Sequence, residues 1–296
     1  KQVKKEQKII SIGYEGNIID VWEKFDKENI VIDIGTDQSS LHNPFAGGYY
    51  PADLTFEEAN EILTNSPDLF KTLVQKSLRR HVKSINNHVK KGTYFFDYGN
   101  AFLLESGRAN ADIFNNDNTF KYPSYVQDIM GPLCFDYGFG PFRWVCLSNN
   151  QRDLEKTDII ATTVLIKLIK TSPKEIIQQM EDNIHWIKTA KKNKLVVGSQ
   201  ARILYANSIG RIEIAKAFNQ AIAQNKIGPI VIGRDHHDVS GTDSPYRETS
   251  NIYDGSQFTS DMSIHNVIGD SFRGATWVSI HNGGGVGWGE VMNGGF

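Results

Sequence analysis

Lys8-Ile-Ile-Ser-Ile12, Gly13-Tyr-Glu-Gly16, Asn17-Ile-Ile-Asp-Val-Trp-Glu-Lys-Phe25 and Ile30-Val-Ile-Asp-Ile34 follow one another closely. The first and last runs are short and apolar, as buried strands are. The third carries its apolar residues at helical spacing. Strand, glycine turn, helix and strand together predict the βαβ unit of a nucleotide-binding sheet. Gly13 and Gly16 form only part of the dinucleotide fingerprint, so the turn alone fits a tight bend without a ligand equally well.

The same theme returns along the chain. Leu195-Val-Val197 meets Gly198-Ser-Gln-Ala-Arg202, and Ile230-Val-Ile232 meets Gly233-Arg-Asp-His-His-Asp-Val-Ser-Gly241. Ala275 to Ile280 meets His281, Asn282 and the glycine-rich run 283–289. Apolar strands ending in polar, glycine-bearing turns predict an α/β fold with ligand-binding strand ends. Gly35-Thr-Asp-Gln-Ser-Ser-Leu-His-Asn-Pro44 leaves the second strand in this way. Its Asp37, Gln38, Ser39, Ser40 and His42 can bind ribose, amide or phosphate oxygens, or can bond their own turn. Gly47-Gly-Tyr-Tyr-Pro51 continues the loop.

Leu54 to Leu63 reads as a helix, with Asp53 or Thr55 as its cap. Residues 67–91 read as a basic amphipathic helix, in which His81 and His88 stand seven apart and can share a face. Tyr94 to Asn100 is a further strand with a polar end. Residues 105–119 read as a loop, and the composition shift there predicts a domain boundary between 118 and 119. The expected domains are therefore 1–118 and 119–296. Beyond lies a short helix, 122–130, and then Gly131 to Cys146, rich in glycine, proline and aromatics. With Arg143 and a thiol it suggests an aromatic-walled pocket for a small planar anion, with an opening expected at Gly131 to Gly140 around Cys134; alternatively both thiols are small core hydrophobes. Residues 151–192 read as helical, broken at Ser172-Pro173 with Ser172 as the next cap, and another helix runs from about Arg211 to Gln224.

Composition narrows the class. The 296 residues suffice for one large domain or two, with 40% hydrophobic and 22% charged residues and a net charge of −2. Such a balance argues against a nucleic-acid partner. Two cysteines, Cys134 and Cys146, are too few for a disulfide framework and point to a reducing compartment. No apolar run reaches the roughly 18 residues of a membrane helix. The chain begins at Lys1 without methionine and stops just after a glycine-rich turn, which reads as part of something longer. Asp235-His-His-Asp238 invites a metal reading, but adjacent residues point apart, so no metal is expected. A charged loop binding a carboxylate through Arg234 or Arg247 suits it better.

Seven stretches carry a family resemblance: Thr36 to His42, Phe96 to Asn100, Gly138 to Trp144, Gly198 to Arg202, Gly228 to Asp235, Ser244 to Ser256, and Gly274 to Gly287. With them the chain resembles the later part of the urocanases of histidine degradation. The resemblance implies a part of a Rossmann-like NAD-binding domain followed by a second α/β catalytic domain. It implies a cytoplasmic homodimer with bound NAD that adds water to urocanate. NAD+ there acts as an electrophile without net redox. Carried over by motif, Asn17, Ile18, Gln38, Ser39, Ser40, Leu41, His42, Tyr49, Tyr50, Tyr98 and Gly284 are expected to bind NAD. Cys134 matches the family's essential cysteine, with Cys146 the other thiol present. Asp182 is the candidate for its acid/base aspartate. Arg143 or Arg234, each expected in a strand-end turn after glycine, suits the substrate carboxylate. A metal hydrolase built on Asp235 to Asp238 and a non-catalytic fragment that only binds ligand are the competing readings.

Overall fold

A computed structural model describes residues 2–39, 41, 43–98, 101–193, 200–233, 261–282 and 292–295. Packing divides the chain into two compact units, with main bodies Lys1–Asp128 and Ile129–His237; shorter segments from beyond 237 join each.

The first unit opens with a short helix, α1 (Gln2–Lys5). The run Lys8 to Ile12, expected as a strand, lies in no strand, and Ile9, Ile10 and Ile12 are exposed. A strand exists only through a ladder with a neighbour, and no described strand pairs with this run. Helix α2 (Ile18–Lys27) follows, burying Ile19 and Trp22. Strand β1 (Ile34–Asp37) starts where the expected strand ends, because its partner β2 (Tyr94–Asp97) meets it there in parallel, Ile34 opposite Tyr94 and Asp37 opposite Asp97. Gly35 is needed for this packing: a Cβ there would lie 2.5 Å from the Trp22 ring.

Between the strands run α3 (Phe56–Asn65) and α4 (Pro67–Lys90). Thr55 caps α3 through a reciprocal box, its hydroxyl accepting from the Glu58 N–H and its own N–H donating to the Glu58 carboxylate. Helix α4 turns Phe70, Val74, Leu78, Val82 and Ile85 into the core. Burying each such side chain contributes about 1.5–3 kcal/mol. Lys83 and Lys90 stay outside, whereas His81 and His88 are inside. Arg80 ties α4 to α2 by a two-pronged bond to Glu23, with N–O distances of 2.8 and 2.9 Å.

Helix α5 (Ala101–Arg108) occupies the start of the expected 105–119 loop. The polar stretch after it is a tight internal turn, closed by Asn115 N–H to Thr119 O at 2.8 Å and by a bridge between Phe114 and Phe120. Residues 119–128 pack with the first unit: Tyr122 joins its core, and the Asp97 N–H donates to Pro123 O.

A π turn (Val126–Met130) carries the chain from the first unit into the second and leads into α6 (Gly131–Leu133). The sheet of the second unit is antiparallel. Strand β3 (Gly140–Cys146) is central, between β4 (Ala201–Ala206) and β5 (Ile230–Gly233). Helices α7 (Gln151–Ile169), α8 (Lys174–Ala190) and α9 (Ser208–Ala223) complete it. Trp144 is fully buried against Phe218, its indole N–H donating to Thr157 Oγ1 at 3.0 Å.

Two expectations change here. Ala201 and Arg202, read as the end of the polar turn 198–202, instead begin β4, because Asp158 neutralises Arg202 and lets it enter the core; 195–197 lie outside the described residues. Ser172 does not cap α8, since its hydroxyl donates back to Leu168 O at 2.8 Å. After α10 (Asp261–Phe272), β6 (Ser279–Asn282) pairs with β7 (Met292–Gly295). No helix among the described residues is long and apolar enough to cross a membrane.

Candidate functional site

Two parallel strands end together at Asp37 and Asp97, and both side chains are buried. The Asp37 carboxylate accepts from the Ser39 N–H at 2.9 Å and the Ser39 hydroxyl at 3.0 Å. Burial pushes it up to about 6, against the pull of those bonds. Asp97 accepts from the Leu103 N–H at 3.0 Å and so steadies the start of α5. The Tyr98 N–H donates to Asp37 O, which joins the two strand ends. The turn thus has a rigid base: Leu41 is buried, Gln38 projects into solvent, and Tyr98 stacks on Tyr125 with ring centres 4.9 Å apart. Open strand ends are where ligands meet α/β sheets.

Asn17 and Tyr50 form the adjoining piece. Asn17 Oδ1 accepts from the Ile19 N–H at 3.0 Å, capping α2, and its Nδ2 donates to Tyr50 O at 2.9 Å. Its amide is therefore committed to the fold, while Ile18 brings a first-turn N–H without an intrahelical acceptor. Such N–H groups suit phosphate oxygens. Tyr50 donates to Asn60 Oδ1 at 2.7 Å. Tyr49 is buried, its hydroxyl 3.1 Å from His81 Nδ1. Burial first, and the charge of nearby Asp37 second, push its phenol well above the usual value. Of the expected NAD set, Asn17, Ile18, Gln38, Ser39, Leu41, Tyr49, Tyr50 and Tyr98 lie in the first unit; Ser40, His42 and Gly284 lie outside the described residues.

His81 and Ser77 enter this neighbourhood without having been singled out for it. The legible signal is their place on the apolar stripe of α4, where a polar side chain demands a partner.

In the second unit Cys134 was expected in an opening. It is instead 5% exposed, and its thiol donates to Gln179 Oε1 on α8 at 3.3 Å. Burial pushes the Cys134 thiol up, and Cys146, 3% exposed at the end of β3, likewise. A raised thiol is protonated at neutral pH and reacts slowly. Asp182 is exposed on α8, its Oδ1 accepting from Gln178 Nε2 at 2.9 Å. Arg143 does not sit in a strand-end turn. It lies within β3, opposite Ile203 and Gly233, because the glycine-rich run closes before Gly140. Arg234 and Asp235 to Asp238 lie outside the described residues. A cavity of ≈ 470 Å³ opens beside β5, lined by Ile230, Ile232, Asp270, Arg273 and Trp277 among others, and contains none of these candidates.

Strand ends closed by polar turns, followed by a helix-covered sheet, define an α/β protein with a Rossmann-like ligand-binding unit joined to a second α/β unit. Residues 1–129 match the urocanase Rossmann-like domain, and residues 132–296 match the urocanase C-terminal domain. The chain belongs to the urocanase family. It is 56% identical over 303 residues to a probable urocanate hydratase of Caenorhabditis elegans, covering 100% of this chain and 45% of the relative. A probable urocanate hydratase of Dictyostelium discoideum is 58% identical over 299 residues, with 99% and 44% covered. The urocanate hydratase of Mus musculus is 56% identical over 306 residues, with 100% and 45% covered. The chain thus spans less than half the length of these relatives.

Proposed function

We propose that the intact protein to which this chain belongs is a urocanate hydratase. It adds water to urocanate, giving 4-imidazolone-5-propanoate, and works as a cytoplasmic homodimer with bound NAD. The observation that carries this reading is the identity of 54–58% to urocanate hydratases along essentially the whole chain. Agreement at that level spans both units, not a shared cofactor fold alone.

The first unit fits NAD in its donor set. Ile18 offers a helix-terminal N–H to a phosphate. Gln38 and Ser39 offer neutral hydrogen-bonding groups, and Tyr98 a half-exposed ring; Ser40, Leu41, His42, Tyr49, Tyr50 and Gly284 complete the proposed set. Asn17 acts through the fold, holding Tyr50. When bound, NAD+ supplies an electrophilic ring with no net redox change.

The residues of the second unit serve the substrate. Arg143 or Arg234 holds the planar carboxylate with a bidentate guanidinium. Cys134, protonated and held by Gln179, shapes the site as a neutral thiol. Asp182, on the same helix as Gln179, is the proton carrier.

The test uses the intact protein. Heat-released supernatant is assayed for NAD, and turnover is followed as loss of urocanate ultraviolet absorbance. Stoichiometric NAD with turnover is expected. NAD without turnover would sink the activity, and turnover without NAD would sink the cofactor.

A further inference from the structure

Helix α4 buries Phe70, Val74, Leu78, Val82 and Ile85 together with four polar residues, of which Ser77 and His81 sit one turn apart. Both reach the same short loop. Ser77 Oγ accepts from the Ala52 N–H at 2.9 Å, and His81 Nδ1 lies 3.1 Å from the Tyr49 hydroxyl. Between them Tyr50 O accepts from Asn17 Nδ2 at 2.9 Å, and Pro51 has no N–H to give. Segment 49–52 belongs to no sheet, so these bonds take the place of a ladder.

A histidine is a costly choice here. His81 is 0% exposed, ringed by Trp22, Tyr49 and Phe102, and its Nε2 has no hydrogen-bond partner among the described residues. An apolar ring would fill the space without a stranded nitrogen. The imidazole is accounted for only by its bond to Tyr49. Its tautomer decides what Tyr49 can do. If Nδ1 accepts the phenol hydrogen, Nε2–H is a buried donor with no acceptor. If Nδ1–H donates to the phenol oxygen, Nε2 keeps only a lone pair, and the phenol hydrogen is left for another acceptor. Stranded buried N–H groups are rarer than under-used acceptors, which favours the second arrangement once an acceptor arrives.

We propose that His81, supported by Ser77, is a positioning residue that fixes Tyr49 as a hydrogen-bond donor toward an acceptor oxygen of the bound dinucleotide. This rests on the cofactor reading above. Tyr49 also stands near the strand-end carboxylate of Asp37, whose charge it feels, so donor and strand-end turn share one neighbourhood.

The test uses the intact protein stripped of cofactor and titrated with NAD+. Tyr49→Phe and His81→Phe should each weaken NAD+ about tenfold, the loss of roughly one hydrogen bond to a charged or well-fixed group. The double variant should bind no worse than either single one. His81→Asn, which keeps a polar atom near Nδ1, should recover most of the affinity. Nitrogen NMR of the histidine should show the Nδ1–H tautomer in the NAD+-bound protein. Loss of affinity in Tyr49→Phe but not in His81→Phe would overturn the positioning role and leave the cofactor reading intact. Unchanged affinity in Tyr49→Phe would remove Tyr49 from the cofactor site and the inference with it. An Nε2–H tautomer in the bound protein would overturn the donor assignment. If His81→Phe fails to fold, Tyr49→Phe, His81→Asn and the NMR tautomer still decide the matter.

Discussion

The two units bury polar groups in different ways. In the second unit those on β4 and on helices α7 and α8 are paired across elements, while Asn266 Nδ2 and Asp270 Oδ2 on α10 are buried without a hydrogen-bond partner among the described residues. Arg202 meets Asp158 with two bonds of 3.0 and 2.9 Å. Asp153 accepts from the Ser148 hydroxyl and the Gly228 N–H, and Asn183 Nδ2 donates to Tyr205 O. In the first unit, Thr36 Oγ1, His81 Nε2, His88 Nδ1 and Ser106 Oγ are buried without a hydrogen-bond partner among the described residues. Asp37 is buried, and among the described residues its carboxylate accepts from Ser39 alone. Paired groups lock a fold. Unsatisfied ones lower its stability and persist where a ligand or a chemical step uses them. Under the proposed function, the paired groups of the second sheet hold the fold, and Asp37 and His81 beside the strand ends of the first unit serve the ligand.

The largest effect should come from the lock. Asp158→Ala leaves the Arg202 guanidinium buried without its carboxylate and should cost about 3–5 kcal/mol in denaturant unfolding. Replacing both, Asp158→Leu with Arg202→Met, should recover most of that loss. A cost below about 1 kcal/mol for Asp158→Ala would mean an exposed pair and would erase the contrast.

Next comes the pH dependence of Asp37. Its folded pKa is raised from 3.8 to about 6, so its contribution is full below the unfolded value and is lost as pH rises through about 6. The shift corresponds to about 3 kcal/mol. Relative to wild type, Asp37→Asn should therefore be more favourable at pH 7.5 than at pH 3.5 by up to that amount. His81 runs the other way. Burial lowers it from 6.5 to about 3, so its contribution is present above 6.5 and is lost as pH falls. Subtracting wild type at each pH removes the His81 part. An Asp37→Asn difference that is flat between pH 3.5 and 7.5 would show a solvated carboxylate.

The thiols sharpen the second half of the comparison. Cys146→Ala should cost about 1–2 kcal/mol and spare most of the rate. Cys134→Ala, which also frees Gln179, should cost about 1 kcal/mol and lower turnover by orders of magnitude with NAD retained. The reverse pattern in stable proteins would make Cys146 the functional thiol. Smallest is the α3 cap: Thr55→Ala should cost about 1 kcal/mol and leave NAD content unchanged, as thermal melting and cofactor assay would show.

Local chemistry was legible and distant pairing was not. The spacing of apolar residues announced α2, α3 and α4, and of the two caps read for α3, Asp53 or Thr55, the structure uses Thr55. Lys8 to Ile12 has the same composition as a strand, but whether it pairs depends on a neighbour that composition does not name. The strand Ala201–Ala206 was hidden by Arg202, which looks like a turn residue until Asp158, distant in sequence, neutralises it. The strand-end turn at Asp37 was visible because each residue from Thr36 to Ser40 is polar. The bonds from Ser77 and His81 to segment 49–52 were not, since they join positions 25 and 32 residues apart.

The central claim is that the strand ends of the first unit hold the dinucleotide, and hydrogen exchange of the intact protein with and without NAD+ tests it most directly. The account predicts added protection at the amides of Ile18, Gln38, Ser39, Tyr49, Tyr50 and Tyr98, with little change along β3 and β4. Protection confined to the second unit, with those six amides unchanged, would contradict it.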